Sequence, residues 1–491
     1  MSRYDLLRSR FGPVCLSLLM PLGAMAQQGS IVRMVPANGA VNINPDTHLQ
    51  ISFLSAPELG AAGLIRIIDS ADGRIVDTLD LSIPAGPDFR RRRPAGSPPD
   101  TTVYQVNTIG GHEGFHFYPV IVAGRTATIY PHSHVLNYGR KYIVKIDRGV
   151  FNPMTGFSGF ASDTDWTFTT KKAPPPANAT KLTVAADGSG DFDTVQGAVD
   201  FVPDSPPKRV TISIKKGNYE ELVFFRNKSK LTIRGEHRDD VQVGYGNNSA
   251  FNPPSTGPNR RPAFSVYNST DIQLSNFTIN NYFIGQAEAL LVSGSRNIVD
   301  HMTLNGSGDA LNLRGSVYIA DSKLVGHGDT ILSVGPAFFN RTEIHSIGPI
   351  NWIRNPATNR GHVFKECTFI GIDEPLPWTR TPDGGGQKSK SVLARLPNNN
   401  GVNYPFAEAV LINSRMEGVS PEGWGPIEES PAFDSTHVHF WEYNSMDLAG
   451  KPLDMSQRHP VSKQLTLPKD AKTIAEYSDP EFVLGWKPVV N

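Results

Sequence analysis

Two aspartates stand in nearly the same phrase: G-S-G-D-A-L at 306–311 carries Asp309, and G-H-G-D-T-I at 326–331 carries Asp329, twenty residues later. A pair of carboxylates held a few ångströms apart cannot ionise freely, so one pKa is pushed up. The pair then offers one neutral acid and one anion at neutral pH, the division of labour that hydrolysis uses. Aspartates also serve turns, where they accept local backbone donors. The pair by itself leaves both readings open.

What decides is how the surrounding elements place the two residues. Aligned on a turn glycine, E-A-L-L-V-S-G (288–294), D-A-L-N-L-R-G (309–315) and D-T-I-L-S-V-G (329–335) repeat at steps of 21 and 20 residues. Second strands follow each turn: N-I-V-D-H-M-T-L-N-G, S-V-Y-I-A-D-S-K-L-V-G and P-A-F-F-N-R-T-E-I-H-S. A period near twenty built of short strands, with no helical periodicity, predicts a parallel β-helix whose coils bury one continuous core. Equivalent positions on successive coils then lie roughly 4.8 Å apart. The two aspartates would stand side by side, and Glu288 would stand one coil before Asp309 as a third acid. Such a third carboxylate would raise the pKa of the middle one further. Three acids without histidine or a defined loop are a poor metal signature, so the expectation is no metal and no cofactor.

The residues before this repeat read differently. K-K-A-P-P-P-A-N-A-T (171–180) is a Pro/Ala linker. Ahead of it, residues 27–170 alternate apolar and polar residues between Pro, Asn and Gly turns, which predicts a β-sandwich. The opening P-A-N-G-A-V-N-I-N-P-D-T and the closing D-T-D-W-T-F-T-T resemble the Ig-like modules found beside bacterial secreted carbohydrate enzymes. Arg90 to Arg93 lie in a Pro/Gly stretch and read as a solvated loop or as a weak grip on an anionic polysaccharide.

The region 181–491 resembles the pectin methylesterases, a family of right-handed parallel β-helices. The carriers are D-G-S-G-D-F-D-T-V-Q-G-A-V (187–199), G-N-Y-E-E (217–221), Q-A-E-A-L (286–290), G-D-A-L (308–311), D-T-I-L-S (329–333) and A-R-L-P (394–397). The resemblance implies hydrolysis of the methyl ester of polygalacturonan to pectate and methanol. It implies Asp329 as the nucleophile and Asp309 as the acid that protonates departing methanol and then activates water. Arg395 would hold the nucleophile by charge-assisted hydrogen bonds, and Gln286 would donate to the developing oxyanion.

The departures from the family pattern cluster around the expected cleft. Gly308 stands where the family has a glutamine, so one amide donor is missing there. Asn312, Thr330, Leu332 and Pro397 stand where the family has aromatics. Trp352, Trp378 and Tyr404 are candidates to replace the lost sugar platform, Trp378 foremost. Two further readings therefore stay open: a related β-helix esterase acting on a different ester, and a polysaccharide-binding β-helix without turnover. G-H-G at 326–328 also resembles polygalacturonases, but the adjacent aspartates and R-x-K of those enzymes are not arranged around His327, which reads as a turn residue.

Bulk properties bound the rest. Acids and bases balance at 47 each, so there is no basic field for nucleic acid. An apolar content of 39% with 45 Gly and 39 Pro describes a turn-rich soluble chain. The start has a basic n-region, a short apolar core and Ala24-Met25-Ala26, which predicts a secretory signal cut after Ala26 and a secreted or periplasmic product. That core is too short for a transmembrane segment. Cys15 would leave with the signal, and with Cys367 alone no intramolecular disulfide can form. The expected partner is methyl-esterified pectin, and the expected state is a monomer.

Overall fold

The computed structural model describes residues 31–86, 98, 101–152, 156–248, 262–283, 285–372, 391–399, 402–425 and 434–490. The expected signal sequence, Arg90 to Arg93 and Trp378 lie outside the described residues. Two compact units are present. One holds the described residues of Met1–Ala179 together with Val184–Gly197. The other holds those of Thr180–Thr183, Ala198–Ser249 and Pro258–Asn491.

The first unit contains two larger β-sheets. One orders its strands Ile31–Val35, Leu49–Phe53, Thr126–Ile129 and Val120–Ala123. The other orders Ala40–Ile43, Thr167–Thr170, Lys141–Ile146, Leu64–Asp69 and Ile75–Asp80. Period-two alternation does the sorting, as in Leu49–Phe53, where Leu49, Ile51 and Phe53 are buried and the residues between them are not. The opening and closing segments meet: Trp166 Nε1 donates to Pro36 O at 2.8 Å, and the Thr167 N–H donates to Asn38 Oδ1 at 2.9 Å.

Within this unit Asp46 anchors the segment 184–197. Its Oδ2 accepts from the N–H groups of Asp193 and Thr194 and from Thr194 Oγ1, at 2.8–2.9 Å. Burial first, and then the charge of Asp193, push the Asp46 carboxyl up to about 7 against the lowering effect of the Thr194 bonds.

The second unit is a right-handed parallel β-helix. Among the described residues, one sheet of fourteen strands and one of eight run its length, and their neighbours pair in parallel. Leu290 pairs with Leu311, and Leu311 with Ile331, so the two repeat steps read from the sequence are the steps of the ladder. The turn glycines stack for a steric reason. A Cβ on Gly315 would stand 1.8 Å from the carbonyl oxygen of Gly294, and one on Gly335 would stand 2.5 Å from that of Gly315.

A second corner repeats once per coil. Asn276, His301, Asp321, Arg341, Glu366, Asn413 and Asn444 all have left-handed backbone, with φ between 48° and 63°. Each ends a strand of the larger sheet and turns the chain toward the smaller one. On the outside, Arg341 forks onto Asp321 at 2.7 and 2.8 Å. On the inside, the following residues form a buried column of Phe277, Met302, Ser322, Thr342, Cys367, Ser414 and Ser445. Cys367 is a spacer in this column, and burial pushes its thiol up to about 12, which leaves it unreactive.

The helices Ala471–Tyr477 and Pro480–Leu484 close the outer face of the larger sheet. Tyr477, Val483 and Leu484 pack with Phe338, Val363, Val410 and Ile412. The Tyr477 hydroxyl donates to Glu408 Oε2 at 2.6 Å. No helix among the described residues is long and apolar enough to cross a membrane.

Two outcomes test this packing. Gly315→Ala forces a methyl against a fixed carbonyl, so it should lower unfolding stability by about 1–3 kcal/mol or more; an unmoved urea midpoint would mean the coils can part at that turn. A carboxyl whose folded pKa is raised stabilises fully below its unfolded value, 3.8 for Asp46, and that stabilisation is lost as pH rises through about 7. The first unit should therefore lose stability from about pH 4 to about pH 7, and Asp46→Asn should flatten that dependence. A profile that Asp46→Asn leaves unchanged would assign the slope to another group.

Candidate active site

The site begins from the ladder. Two residues before the paired Leu290, Leu311 and Ile331 come Glu288, Asp309 and Asp329, so the backbone sets the three acids on successive coils. All three are buried, at 1%, 7% and 8% exposure. They do not share one backbone conformation. Asp329 is left-handed, with φ of 44°, and follows Gly328 at 67°. Asp tolerates this region better than most residues, and here it lies in the bend between the strands Lys323–His327 and Ile331–Ser333. The strand Lys323–His327 ends immediately before it, and the His327 N–H donates to Gly308 O at 3.2 Å. His327 thus closes a strand, where the sequence suggested a turn.

Arg395 meets Asp329 directly. Its Nε donates to Asp329 Oδ1 at 2.6 Å, in the range of a charge-assisted bond, with the side chains 20% and 12% exposed. The guanidinium also lies over the Trp352 ring, 4.6 Å from its centre, and that of Arg354 lies 4.4 Å from the same centre. Trp352 pairs in the ladder with Leu332, and Leu332 with Asn312. Tyr404 meets Trp352 edge-on at 6.4 Å. Trp352 is therefore a seat for the two arginines.

Gln286 and Gly308 lie against each other. The Ser307 N–H donates to Ala287 O at 3.1 Å, and the Gly285 N–H donates to Ser307 Oγ at 3.1 Å. A Cβ on residue 308 would stand 3.2 Å from Gly285 O, 3.3 Å from Ala287 N and 3.4 Å from Gln286 Cα. Backbone fills the space in this direction, so Gly308 is a close approach between coils. Gln286 itself is exposed.

The replaced aromatics do not act as a group. Thr330 is fully buried, with its hydroxyl 2.7 Å from Ser346 Oγ. Leu332 is 3% exposed. Asn312 is buried, with its Oδ1 accepting from Arg314 Nε at 3.4 Å. Trp378 falls outside the described residues. Among the described residues no group of three or more His, Cys, Asp or Glu is arranged to hold a metal ion.

The structure thus gathers Asp329 with Arg395, sets Asp309 and Glu288 on the preceding coils, and packs the backbone of Gln286 against Gly308. Sequence reasoning missed the tie between Trp352 and Arg395. Ladder-paired residues such as Leu332 and Trp352 could be found from the repeat, but the arginine comes from 43 residues further along a chain path without that repeat.

Comparison with known proteins places the chain in a family. The family model described as Pectinesterase matches residues 181–485. "Pectinesterase 1" of Olea europaea is 25% identical over 299 residues, covering 58% of this chain and 74% of its own. "Probable pectinesterase 30" of Arabidopsis thaliana is 32% identical over 328 residues, covering 65% and 63%. Among solved structures, pectin methylesterase from carrot aligns with a TM-score of 0.50 at 19% identity, covering 62% of this chain and 92% of its own. A pectin methylesterase solved in complex with a hexasaccharide aligns with a TM-score of 0.50 at 20% identity, covering 65% and 100%. The structural likenesses bear on the fold; the family match, which spans more than half of the sequence, bears on descent. The chain belongs to the pectinesterase family.

Proposed function

We propose that this protein is a pectin methylesterase that cleaves the C6 methyl ester of polygalacturonan with Asp329 as nucleophile and Asp309 as acid and base. The observation that carries the reading is the 2.6 Å bond from Arg395 to Asp329, one coil from Asp309. The guanidinium holds Asp329 as a carboxylate and orients it for attack on the ester carbon. The Asp329 oxygen bonds to the ester carbon, the carbonyl oxygen becomes an oxyanion, and the Gln286 amide donates to it. The C–O bond to the methoxy group then breaks, and the leaving oxygen takes the proton of Asp309. Asp309, now an anion, accepts a proton from water as that water attacks the acyl–Asp329 anhydride. The galacturonate carboxyl leaves, and Asp329 is restored as a carboxylate with Asp309 protonated. Every step uses carboxylates and fixed donors.

The setting completes the proposal: an exported monomer acting on plant cell wall pectin, with the first unit as an Ig-like module that spaces or guides the β-helix. A second reading, hydrolysis of a different ester, is favoured by one observation. The only described aromatic column neighbour of Leu332 is Trp352, and its ring packs against Arg354 and Arg395. The sugar contact must then differ from an aromatic platform built on Thr330 and Leu332.

Methanol release from methylated pectin, set beside acetyl and longer acyl esters, separates the two readings. On the better ester, Asp329→Asn and Asp309→Asn should each lower kcat by on the order of a thousandfold or more, with circular dichroism unchanged. A folded variant that keeps near-parental turnover would sink the assigned roles. Gly308→Gln should lower kcat rather than restore a donor, because its Cβ must displace the backbone that carries Gln286. A rise in methanol release would show that residue 308 has room toward the ester after all.

A further inference from the structure

The arginine that holds the nucleophile has an unusual mount. Its strand, Ala394–Arg395, belongs to neither long sheet of the β-helix. It forms a two-stranded parallel pair with Trp424–Gly425, with Ala394 opposite Trp424 and Arg395 opposite Gly425. The Leu393 N–H donates to Gly423 O at 2.6 Å, and the Leu396 N–H donates to Gly425 O at 3.1 Å. On its other side the segment is tied to the preceding coil through Ile350, whose N–H donates to Val392 O at 2.9 Å, and through Asn351 Nδ2, which lies 3.3 Å from Leu393 O. The height of Arg395 above the coils is therefore set by where residues 423–425 stand.

Those residues are lashed down by a buried ion pair. Arg458 forks onto Glu442, Nε to Oε1 at 2.9 Å and Nη2 to Oε2 at 3.2 Å, with side chains only 6% and 2% exposed. Arg458 Nη1 donates to Pro421 O at 2.9 Å and to Ser420 O at 3.3 Å, which gathers the turn just before Trp424. Trp424 is fully buried, donates from Nε1 to Glu442 Oε1 at 3.1 Å, and stacks on Phe440 at 4.5 Å. Glu442 lies on the strand His439–Tyr443 of the long sheet, so the lash runs from the sheet to the turn. Gly423 fits this closely: it is left-handed at 67°, and a Cβ there would stand 2.8 Å from Arg458 Cδ and Nε.

We propose that Arg458, with Glu442 and Trp424, forms a brace that positions Arg395 on Asp329, so that Arg458 is a positioning residue for the esterase reaction. The proposal rests on the reading of Asp329 as nucleophile held by Arg395. Arg458 touches neither of them; its effect passes through the carbonyls of Gly423 and Gly425. A planar fork is needed because one guanidinium satisfies both Glu442 oxygens and two turn carbonyls, whereas an ammonium is a single point charge. Displacement of a catalytic group by about 1 Å can cost on the order of a hundredfold in rate, so a small settling of this turn would be read in turnover.

The test is a double-mutant cycle on the full chain, with kcat and KM from methanol release on methylated pectin and Tm from thermal melts. Arg458→Lys should lower kcat per folded molecule by roughly tenfold to a hundredfold, with KM changed by less than about twofold. Trp424→Phe, which removes one N–H and keeps an aromatic ring, should lower kcat in the same direction, and it carries the comparison if Arg458→Lys does not fold. In an Arg395→Lys background the same substitutions should lower Tm as before but leave kcat with little further to lose, because the group they position is already gone. An equal fold-loss in both backgrounds, or an unchanged kcat in folded Arg458→Lys and Trp424→Phe, would overturn the brace while leaving the role of Arg395 standing. A parental kcat in Arg395→Lys would overturn that role and the brace with it.

Discussion

The parallel ladder that sets Leu290 against Leu311 and Leu311 against Ile331 is the constraint on which the rest of the β-helix depends. Once backbone hydrogen bonds lock one coil over the next, each position inherits the chemistry of the position beneath it. Glycines must stack on glycines where a Cβ would strike the carbonyl of the previous coil, as at Gly315 over Gly294. Left-handed residues recur at one corner because each coil must turn from the long sheet to the short one at the same height. Phe277 and Met302 line the inside of that corner on the earlier coils, and small polar residues with Cys367 line it from Ser322 onward. Two acids in the same phrase become neighbours by the same rule.

The ladder alone makes only half a site. It sets Asp309 and Asp329 on adjacent coils, but the partner that orients Asp329 comes from a short strand outside both long sheets. That division has a physical logic. Ladder positions are stiff because each backbone group is bonded above and below, so they fix the separation of the two carboxylates. A guanidinium that must meet a carboxylate oxygen at 2.6 Å can be delivered by a lateral arm, provided the arm is itself held. Trp352 supports the guanidinium from below the arm, and the pairing with Trp424–Gly425 supports the strand.

Read this way, the departures from the family pattern are changes in packing as much as in chemistry. Thr330 faces Ser346 in the interior, so its replacement of an aromatic alters the core beneath the cleft. Gly308 lets the backbone of residues 285–287 approach closely. In stacked coils, a side chain absent at one level leaves space that backbone at the next can take, as residues 285–287 do at Gly308.

Much was legible without coordinates, and the reason is the repeat itself. The steps of 21 and 20 residues, read off turn glycines, determined which strands pair, and therefore that Glu288, Asp309 and Asp329 share a column. Three things were decided only by the tertiary structure. The left-handed turn at Asp329 follows from how one coil closes over another, and the residues flanking it carry no signal beyond Gly328. The use of Trp352 as a seat for Arg395 and Arg354 depends on where an arm outside the repeat returns. Arg458 and Glu442, sixteen residues apart with no motif around them, meet only because a strand of the long sheet and the chain beyond it converge under the same turn. Periodic contacts are written into sequence because every coil restates them; a contact made once, between segments of unrelated spacing, is stated nowhere until the chain has folded.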